Sequence, residues 1–158
     1  MLTKLLPEQV SKFWDIIKYA IEESLPPIAG ENPDRMNRIL TAALSGSVIC
    51  WASYTREEGT SKFEGILITK LLYDDVSDTR NLLIYCIYGY ESVSDSSWLD
   101  GLKSILKYAA SKRCNQIIAY TTSPYIVKLV NDLGGDSSYN FISFNVNESV
   151  KSFNELGD

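Results

Sequence analysis

The chain has 158 residues, 45% of them hydrophobic and 22% charged, which is enough for one domain with a real core. Its net charge of −5 argues against a nucleic-acid binder, because phosphate contacts need clustered Lys and Arg side chains. The sequence contains no histidine, and no apolar run approaches the roughly 20 residues that cross a membrane, so His-based catalysis, membrane spans and most metal sites are not expected.

The cysteines indicate the cellular setting. Cys50, Cys86 and Cys114 each stand alone in or beside an apolar segment. An odd number of isolated cysteines favours buried reduced thiols over a disulfide framework or a metal site. The first residues also lack the apolar core and cleavage site of a signal peptide. We therefore expect a cytoplasmic protein.

Two helices are predicted before the first strand. Pro7 suits the first turn of one helix, which ends before the prolines at residues 26 and 27. Asn32 is the predicted N-cap of the second helix, and Gly46 its C-terminal stop. In each helix the apolar residues are spaced so that they lie on one face. They are Val10, Phe13, Trp14, Ile17 and Ile21 in the first helix, and Met36, Leu40, Ala43 and Leu44 in the second helix.

Three strands are predicted next, over residues 47–55, 63–73 and 82–90. The segment 56–59 has the composition of a hairpin turn between the first two. The third strand is apolar on nearly every residue. Such a run is typical of a central strand that is covered on both faces.

The pattern then alternates between helix and strand. A helix is expected over residues 95–112 and a strand over 116–121, so the strand should lie parallel to residues 82–90 after a right-handed crossover. Ser123 and Pro124 begin another helix, which Gly134 and Gly135 stop. Alternating Ile142, Phe144 and Val146 predict a last strand over 141–146.

This order, an antiparallel meander followed by a strand–helix–strand unit, resembles the GCN5-related N-acetyltransferase (GNAT) family over residues 1–146. The stretch LVNDLGG at 129–135 is similar to the Leu-Tyr-x-x-x-Gly-Phe segment of that family. The resemblance implies an α/β (α+β) fold, with a mixed, mainly antiparallel, twisted sheet and helices on both faces. We expect one GNAT-like domain over 1–146 and a polar C-terminal tail over 147–158.

In the GNAT family, the junction between the third strand and its helix carries Gln/Arg-x-x-Gly-x-Gly/Ala and holds the pyrophosphate of acetyl-CoA. Here residues 88–101 read YGYESVSDSSWLDG, with no glycine between Gly89 and Gly101 and no Arg or Lys between residues 80 and 103. By the resemblance, the residues that would contact the cofactor are Ile87, Gly89, Ser94, Asp95, Ser96 and Ser97.

These residues allow two interpretations. The small serines could direct backbone N–H groups at an anion. Against that, Glu91 and Asp95 place negative charge where a pyrophosphate would lie, and Ser94 or Asp95 can cap the helix instead. We favour the structural cap over a working CoA loop.

The resemblance also places a proton-donating Tyr near the last helix, where this chain has Val130. Tyr125 lies one and a half turns earlier, on a different helical face. Glu64, Asp74 and Asp75 are interpreted as solvated carboxylates rather than as a general base. No catalytic residue is predicted.

Two functions follow. The first is a GNAT-fold protein that has lost acetyltransferase chemistry, uses no cofactor and acts as a binding or structural module through a protein partner or self-association. Small GNAT-like proteins of this kind occur in phage genomes and some in virions, which adds the host cytoplasm or a virion as expected locations. The alternative is a divergent acyl-CoA-dependent N-acetyltransferase that holds acetyl-CoA on the serine-rich junction. Neither function involves a metal, a membrane or nucleic acid.

Overall fold

The computed structural model describes residues 1–90 and 93–157. Five strands form one sheet in the order β1-β2-β3-β4-β5. The first four are antiparallel neighbours and β5 is parallel to β4, so the predicted mixed, mainly antiparallel sheet is confirmed. The strands are β1 Leu2–Lys4, β2 Ile49–Glu57, β3 Thr60–Asp74, β4 Thr79–Gly89 and β5 Gln116–Ala119.

Six α-helices accompany the sheet in the described part of the chain. They are α1 Pro7–Lys12, α2 Trp14–Glu22, α3 Arg35–Ser45, α4 Asp95–Ser111, α5 Pro124–Asp132 and α6 Val146–Glu155. A short 3₁₀ turn covers Pro27–Ala29. The crossover from β4 through α4 to β5 is the parallel unit that the sequence predicts.

The N-terminal helices differ from the prediction in two details. The single expected helix is divided into α1 and α2 at Phe13, which has φ −104° and ψ 18°. The second helix begins at Arg35, because the Asn32 side chain accepts the Asp34 N–H at 2.9 Å in a turn that precedes the helix. Asn32 is therefore not the N-cap. The predicted stop at Gly46 is confirmed, with φ 85°.

Apolar side chains cover both faces of the sheet. On one face, α1, α2 and α3 supply Val10, Ile17, Ile21 and other residues that pack on β2, β3 and β4, with Trp14 partly buried among them. On the other face, Ile105 and Ala109 of α4 pack on Trp51, Leu67 and Leu82. The strand that was expected to be central, β4, is an interior strand next to the edge strand β5, and it contributes residues to both clusters as β2 and β3 do.

The chain divides into two compact units, Met1–Tyr120 and Thr121–Asp158. The first contains the sheet and the helices α1 to α4, and the second contains α5 and α6. In the second unit, the Ser123 side chain caps α5 by accepting the Ile126 N–H. Gly134, with φ 88°, follows the end of α5 as predicted.

The strand predicted over residues 141–146 is wrong. Residues 141–145, all of them described, form neither a strand nor a helix, and Val146 begins α6. The reason is a helix cap: the Asn145 side chain accepts the Glu148 N–H at 3.0 Å. α6 then continues to Glu155 through residues that were expected to form the polar tail.

Candidate functional site at the start of α4

The candidate site is the junction where β4 ends and α4 begins. Gly89 is the last residue of β4 and pairs with Gly65 of β3. The Tyr90 N–H then donates to the Glu64 carbonyl oxygen at 2.9 Å. Glu91, whose charge the sequence prediction invoked, lies outside the described residues.

The backbones of β3 and β4 come very close at this junction. A Cβ atom added to Gly65 would lie 2.4 Å from the Tyr88 carbonyl oxygen. Because that contact is with rigid strand backbone, a side chain at this position would force the strands to shift. Gly65 therefore allows the close approach of β3 to the end of β4.

Three serines form a compact hydrogen-bond cluster at the start of α4. The Ser94 Oγ accepts the Ser97 N–H at 3.2 Å and donates to the Ser97 Oγ at 3.1 Å. It also lies 3.1 Å from the Ser96 Oγ. Of the two predicted caps, Ser94 is the N-cap and Asp95 is not, since Asp95 is the first helical residue. Its charge suits the positive end of the helix dipole.

The Glu64 carboxylate is attached to this cluster from β3. The Ser97 Oγ donates to Glu64 Oε1 at 3.1 Å, and the Ser53 Oγ of β2 donates to Glu64 Oε2 at 2.9 Å. All three residues are partly buried. Both carboxylate oxygens are therefore engaged, and the contacts join β2 and β3 to the first turn of α4.

This role of Glu64 was missed in the sequence analysis, which took it for a solvated carboxylate. The available signal was its place in β3, directly before Gly65 and a run of buried residues. A carboxylate at that position needs partners, since burial without them is costly. Ile87, by contrast, is a packing residue: it lies in β4 and contacts the apolar cluster under α4.

Tyr88 and Tyr90, near the end of β4, both contact α2. The Tyr90 hydroxyl donates to the Ile16 carbonyl oxygen at 3.0 Å, and burial raises the pKa of Tyr90 to about 12. The Tyr88 ring makes edge-to-face contacts with the rings of Tyr90 and Tyr19, at 5.2 Å and 5.8 Å. Tyr90 is therefore neutral at ordinary pH and serves as a packing and hydrogen-bonding residue.

The second unit contains the position that the family resemblance matches to a proton-donating Tyr. Val130 occupies it, in the last turn of α5, and its aliphatic side chain has no proton to donate. Tyr125 lies in the first turn of the same helix and is about half exposed.

Two further features are absent from the described residues, a metal-binding cluster and a membrane-spanning helix. Among residues 1–90 and 93–157, no group of three or more Cys, Asp or Glu side chains is arranged to hold a metal ion. In the same part of the chain, no helix has both the length and the apolar composition to cross a membrane.

Solved acetyltransferase structures are similar to this chain. A predicted acetyltransferase from Clostridium acetobutylicum, solved with acetyl-CoA, has a TM-score of 0.65 at 13% identity, over 94% of this chain and 97% of its own. A ribosomal-protein-alanine N-acetyltransferase from Brucella melitensis has a TM-score of 0.60 at 13% identity, over 92% and 99%. An aminoglycoside N-acetyltransferase in complex with CoA has a TM-score of 0.61 at 11% identity, over 92% and 98%.

No family model and no curated protein matches the sequence. At 11–13% identity, the structural matches establish the fold and not the chemistry. The matches extend over nine-tenths of the chain. The chain therefore has the fold of the GCN5-related N-acetyltransferases.

Proposed function

We propose that this chain is a GNAT-fold protein that has lost acetyltransferase chemistry and acts as a binding or structural module without acetyl-CoA. One observation carries the proposal. The Glu64 carboxylate is held at the first turn of α4, where a helix N-terminus would otherwise favour a bound anion.

The N–H and hydroxyl of Ser97 at this turn are already hydrogen-bonded within the chain, which supports the proposal. The Ser94 side chain accepts the Ser97 N–H, and Glu64 accepts the Ser97 hydroxyl. A pyrophosphate approaching the same turn would compete with these internal acceptors for the Ser97 N–H and hydroxyl. The residues present thus fit a pyrophosphate poorly.

The negative charges at this turn would also weaken the binding of a pyrophosphate. Two unit charges of the same sign at about 5 Å repel by about 3 kcal/mol at an effective dielectric constant near 20. That energy corresponds to a loss of affinity on the order of a hundredfold. Glu64 supplies one such charge, and Asp95 adds a second in the first turn of α4. Val130 supports the loss of chemistry independently, because it cannot protonate a leaving thiolate.

Isothermal titration calorimetry with CoA tests this proposal. We expect no binding in the micromolar range for the wild-type chain, and tighter binding for Glu64→Gln, which removes the charge but keeps the side-chain size. Glu57→Gln, at the exposed end of β2, is the matched control and should behave as the wild type. A micromolar dissociation constant for the wild-type chain would overturn the proposal.

The same titration decides the alternative function, a divergent N-acetyltransferase that uses acetyl-CoA. In that case CoA at 100 times its dissociation constant should stabilise the fold by about 2.7 kcal/mol. Acetylation of amines by the purified chain would then have to follow. A phage or virion setting, which only the family resemblance implies, and a cytoplasmic location, expected from the sequence, stay predictions.

A further inference from the structure

Positive charge is concentrated on α4 and directly after it. Residues 101–120 contain Lys103, Lys107, Lys112 and Arg113 and no Asp or Glu, whereas the whole chain has 20 acidic and 15 basic residues. Asp100 stands directly before this segment, one turn from Lys103. All four cations are exposed, and in the part of the chain that the structure describes none of them forms an ion pair with a carboxylate. A surface of positive charge therefore lies on a chain whose net charge is −5.

Helix stability accounts for only part of this charge. Lys112 and Arg113 follow Ser111, the last residue of α4, where cations suit the negative end of the helix dipole. Lys103 and Lys107 come before the last turn, where the dipole effect has fallen off. As like charges at i and i+4, these two lysines slightly destabilise the helix. Their presence therefore points to a role outside the fold of the helix itself.

Two exposed leucines lie beside these lysines. Ile105 packs on the sheet, and at 3.6 residues per turn Lys103 and Lys107 lie on the opposite side of α4. Leu99 and Leu106 are seven residues apart, so they form one row next to Lys103, and they are 38% and 51% exposed. The outer face of α4, defined by these two leucines and two lysines, thus combines an apolar row with a row of positive charge.

Cations from two other elements add to the positive surface at the end of α4. The Lys4 Nζ of β1 lies 4.3 Å from the centroid of the Tyr108 ring, and the Lys112 Nζ lies 5.8 Å from the same centroid. Arg80 of β4 donates to the Lys112 carbonyl oxygen at 2.9 Å. These contacts lie within the unit Met1–Tyr120, so the positive surface is built by the sheet and α4 together.

An acidic protein segment suits the outer face of α4 better than other anionic partners do. A nucleic acid or an anionic membrane is an extended negative surface, which the net charge of −5 would repel. A short acidic segment meets mainly the charges within a Debye length of about 8–10 Å. A phosphate backbone would leave Leu99 and Leu106 without an apolar partner. Two partly buried leucines are also too few for a bilayer, because binding there needs a broad apolar face.

We propose that the outer face of α4 binds an amphipathic helix of a protein partner, in which Asp or Glu side chains flank a row of apolar residues. A helix suits this face because its side-chain rows repeat with the same rise as the rows of α4. The carboxylates then lie against Lys103 and Lys107, and the apolar row lies against Leu99 and Leu106. Such a partner would give the binding role proposed above its specificity.

Fluorescence anisotropy with two labelled peptides of about 20 residues tests this pairing. The first peptide repeats leucine at the spacing i, i+4, i+7 and carries glutamate at the flanking positions. The second has serine in place of each leucine and keeps every glutamate. The wild-type chain should bind the leucine peptide at least about tenfold more tightly than the serine peptide. Raising NaCl from about 0.05 M to about 0.5 M should weaken the binding severalfold.

Variants of the chain locate the binding surface. Lys107→Glu should weaken the binding of the leucine peptide about fivefold to tenfold, because it replaces an attraction to the peptide glutamates by a repulsion. Lys18→Glu is the matched control: it makes the same charge change at an exposed position of α2, on the other face of the sheet, and should change the affinity by less than about twofold. Leu106→Ser should remove most of the preference for the leucine peptide. Far-UV circular dichroism of each variant checks that α4 is retained.

Three results would contradict this pairing. One is a wild-type chain that binds neither peptide up to sub-millimolar concentration. A second is an equal loss of affinity in Lys107→Glu and Lys18→Glu, which would show an effect of overall charge alone. A third is binding of an oligothymidylate or of phosphatidylserine vesicles at least as tight as that of the leucine peptide, which would assign the surface to nucleic acid or to a membrane. The outer face and the first turn are different parts of α4, so the peptide titration and the CoA titration can fail independently.

Discussion

The hydrogen bonds of Glu64 should stabilise the fold measurably. Glu64→Gln keeps the side-chain size but replaces a charged acceptor of two serine hydroxyls, at 2.9 Å and 3.1 Å, by a neutral amide. A hydrogen bond to a charged group contributes about 1.5–3 kcal/mol and a neutral one about 0.5–1.5 kcal/mol. The expected loss is therefore about 1–2 kcal/mol, toward the lower value because the residues are only partly buried.

A double-mutant cycle in urea isolates the contact between β3 and α4. Glu64→Gln combined with Ser97→Ala should show a coupling energy of about 1 kcal/mol. Ser104→Ala is the matched control, because the Ser104 hydroxyl donates to the Asp100 carbonyl oxygen within α4 and lies outside the cluster around Glu64. Its coupling to Glu64→Gln should stay within about 0.5 kcal/mol of zero. Equal coupling at both serines, or none at Ser97, would refute the reasoning.

Three further results are expected. Gly65→Ala should destabilise the fold by about 1–3 kcal/mol in a urea titration, because its Cβ would lie 2.4 Å from a carbonyl oxygen of β4. Gly101→Ala should instead stabilise α4 by about 0.5–1 kcal/mol, because a Cβ at Gly101 meets no atom within 4 Å. If Gly101→Ala destabilised the fold more than Gly65→Ala, the close approach of β3 and β4 would be contradicted. Ile105→Ala should cost about 2–5 kcal/mol, since Ile105 is 2% exposed, and a cost below about 1 kcal/mol would place that face of α4 outside the core. Burial raises the pKa of Cys50 to about 12 and that of Cys86 to about 11, from an ordinary value of 9.0. These thiols should therefore not affect the free energy of unfolding below pH 9, and that free energy should fall as the pH rises from 9 toward 12. Urea titrations at successive pH values measure it, and a rise over this range would contradict the burial of the two thiols.

Local pattern was sufficient for the strands β2 to β5. β4 is apolar on nearly every residue because side chains pack on both of its faces, so its place inside the sheet could be predicted from sequence alone. Gly46 and Gly134 marked helix ends correctly, because a positive φ is a property of a single position.

Prediction failed where two local signals competed or where contacts are distant in sequence. In residues 141–146 the alternation of apolar residues indicated a strand, but the cap that Asn145 offers to Glu148 began a helix instead. The hydrogen bond between Glu64 and Ser97 joins residues 33 apart, and no local pattern reveals it. The site therefore depended on the tertiary structure more than the fold did.

The three tryptophans lie in three different regions of the fold, so the fluorescence of each can report on one region. Trp14 packs in the cluster on the α1–α3 side, and Trp51 is buried in the cluster under α4. Trp98 is partly buried in the first turn of α4, next to Ser97. Variants that keep one tryptophan each would let fluorescence follow the unfolding of either face, or a ligand arriving at the junction, without any added label.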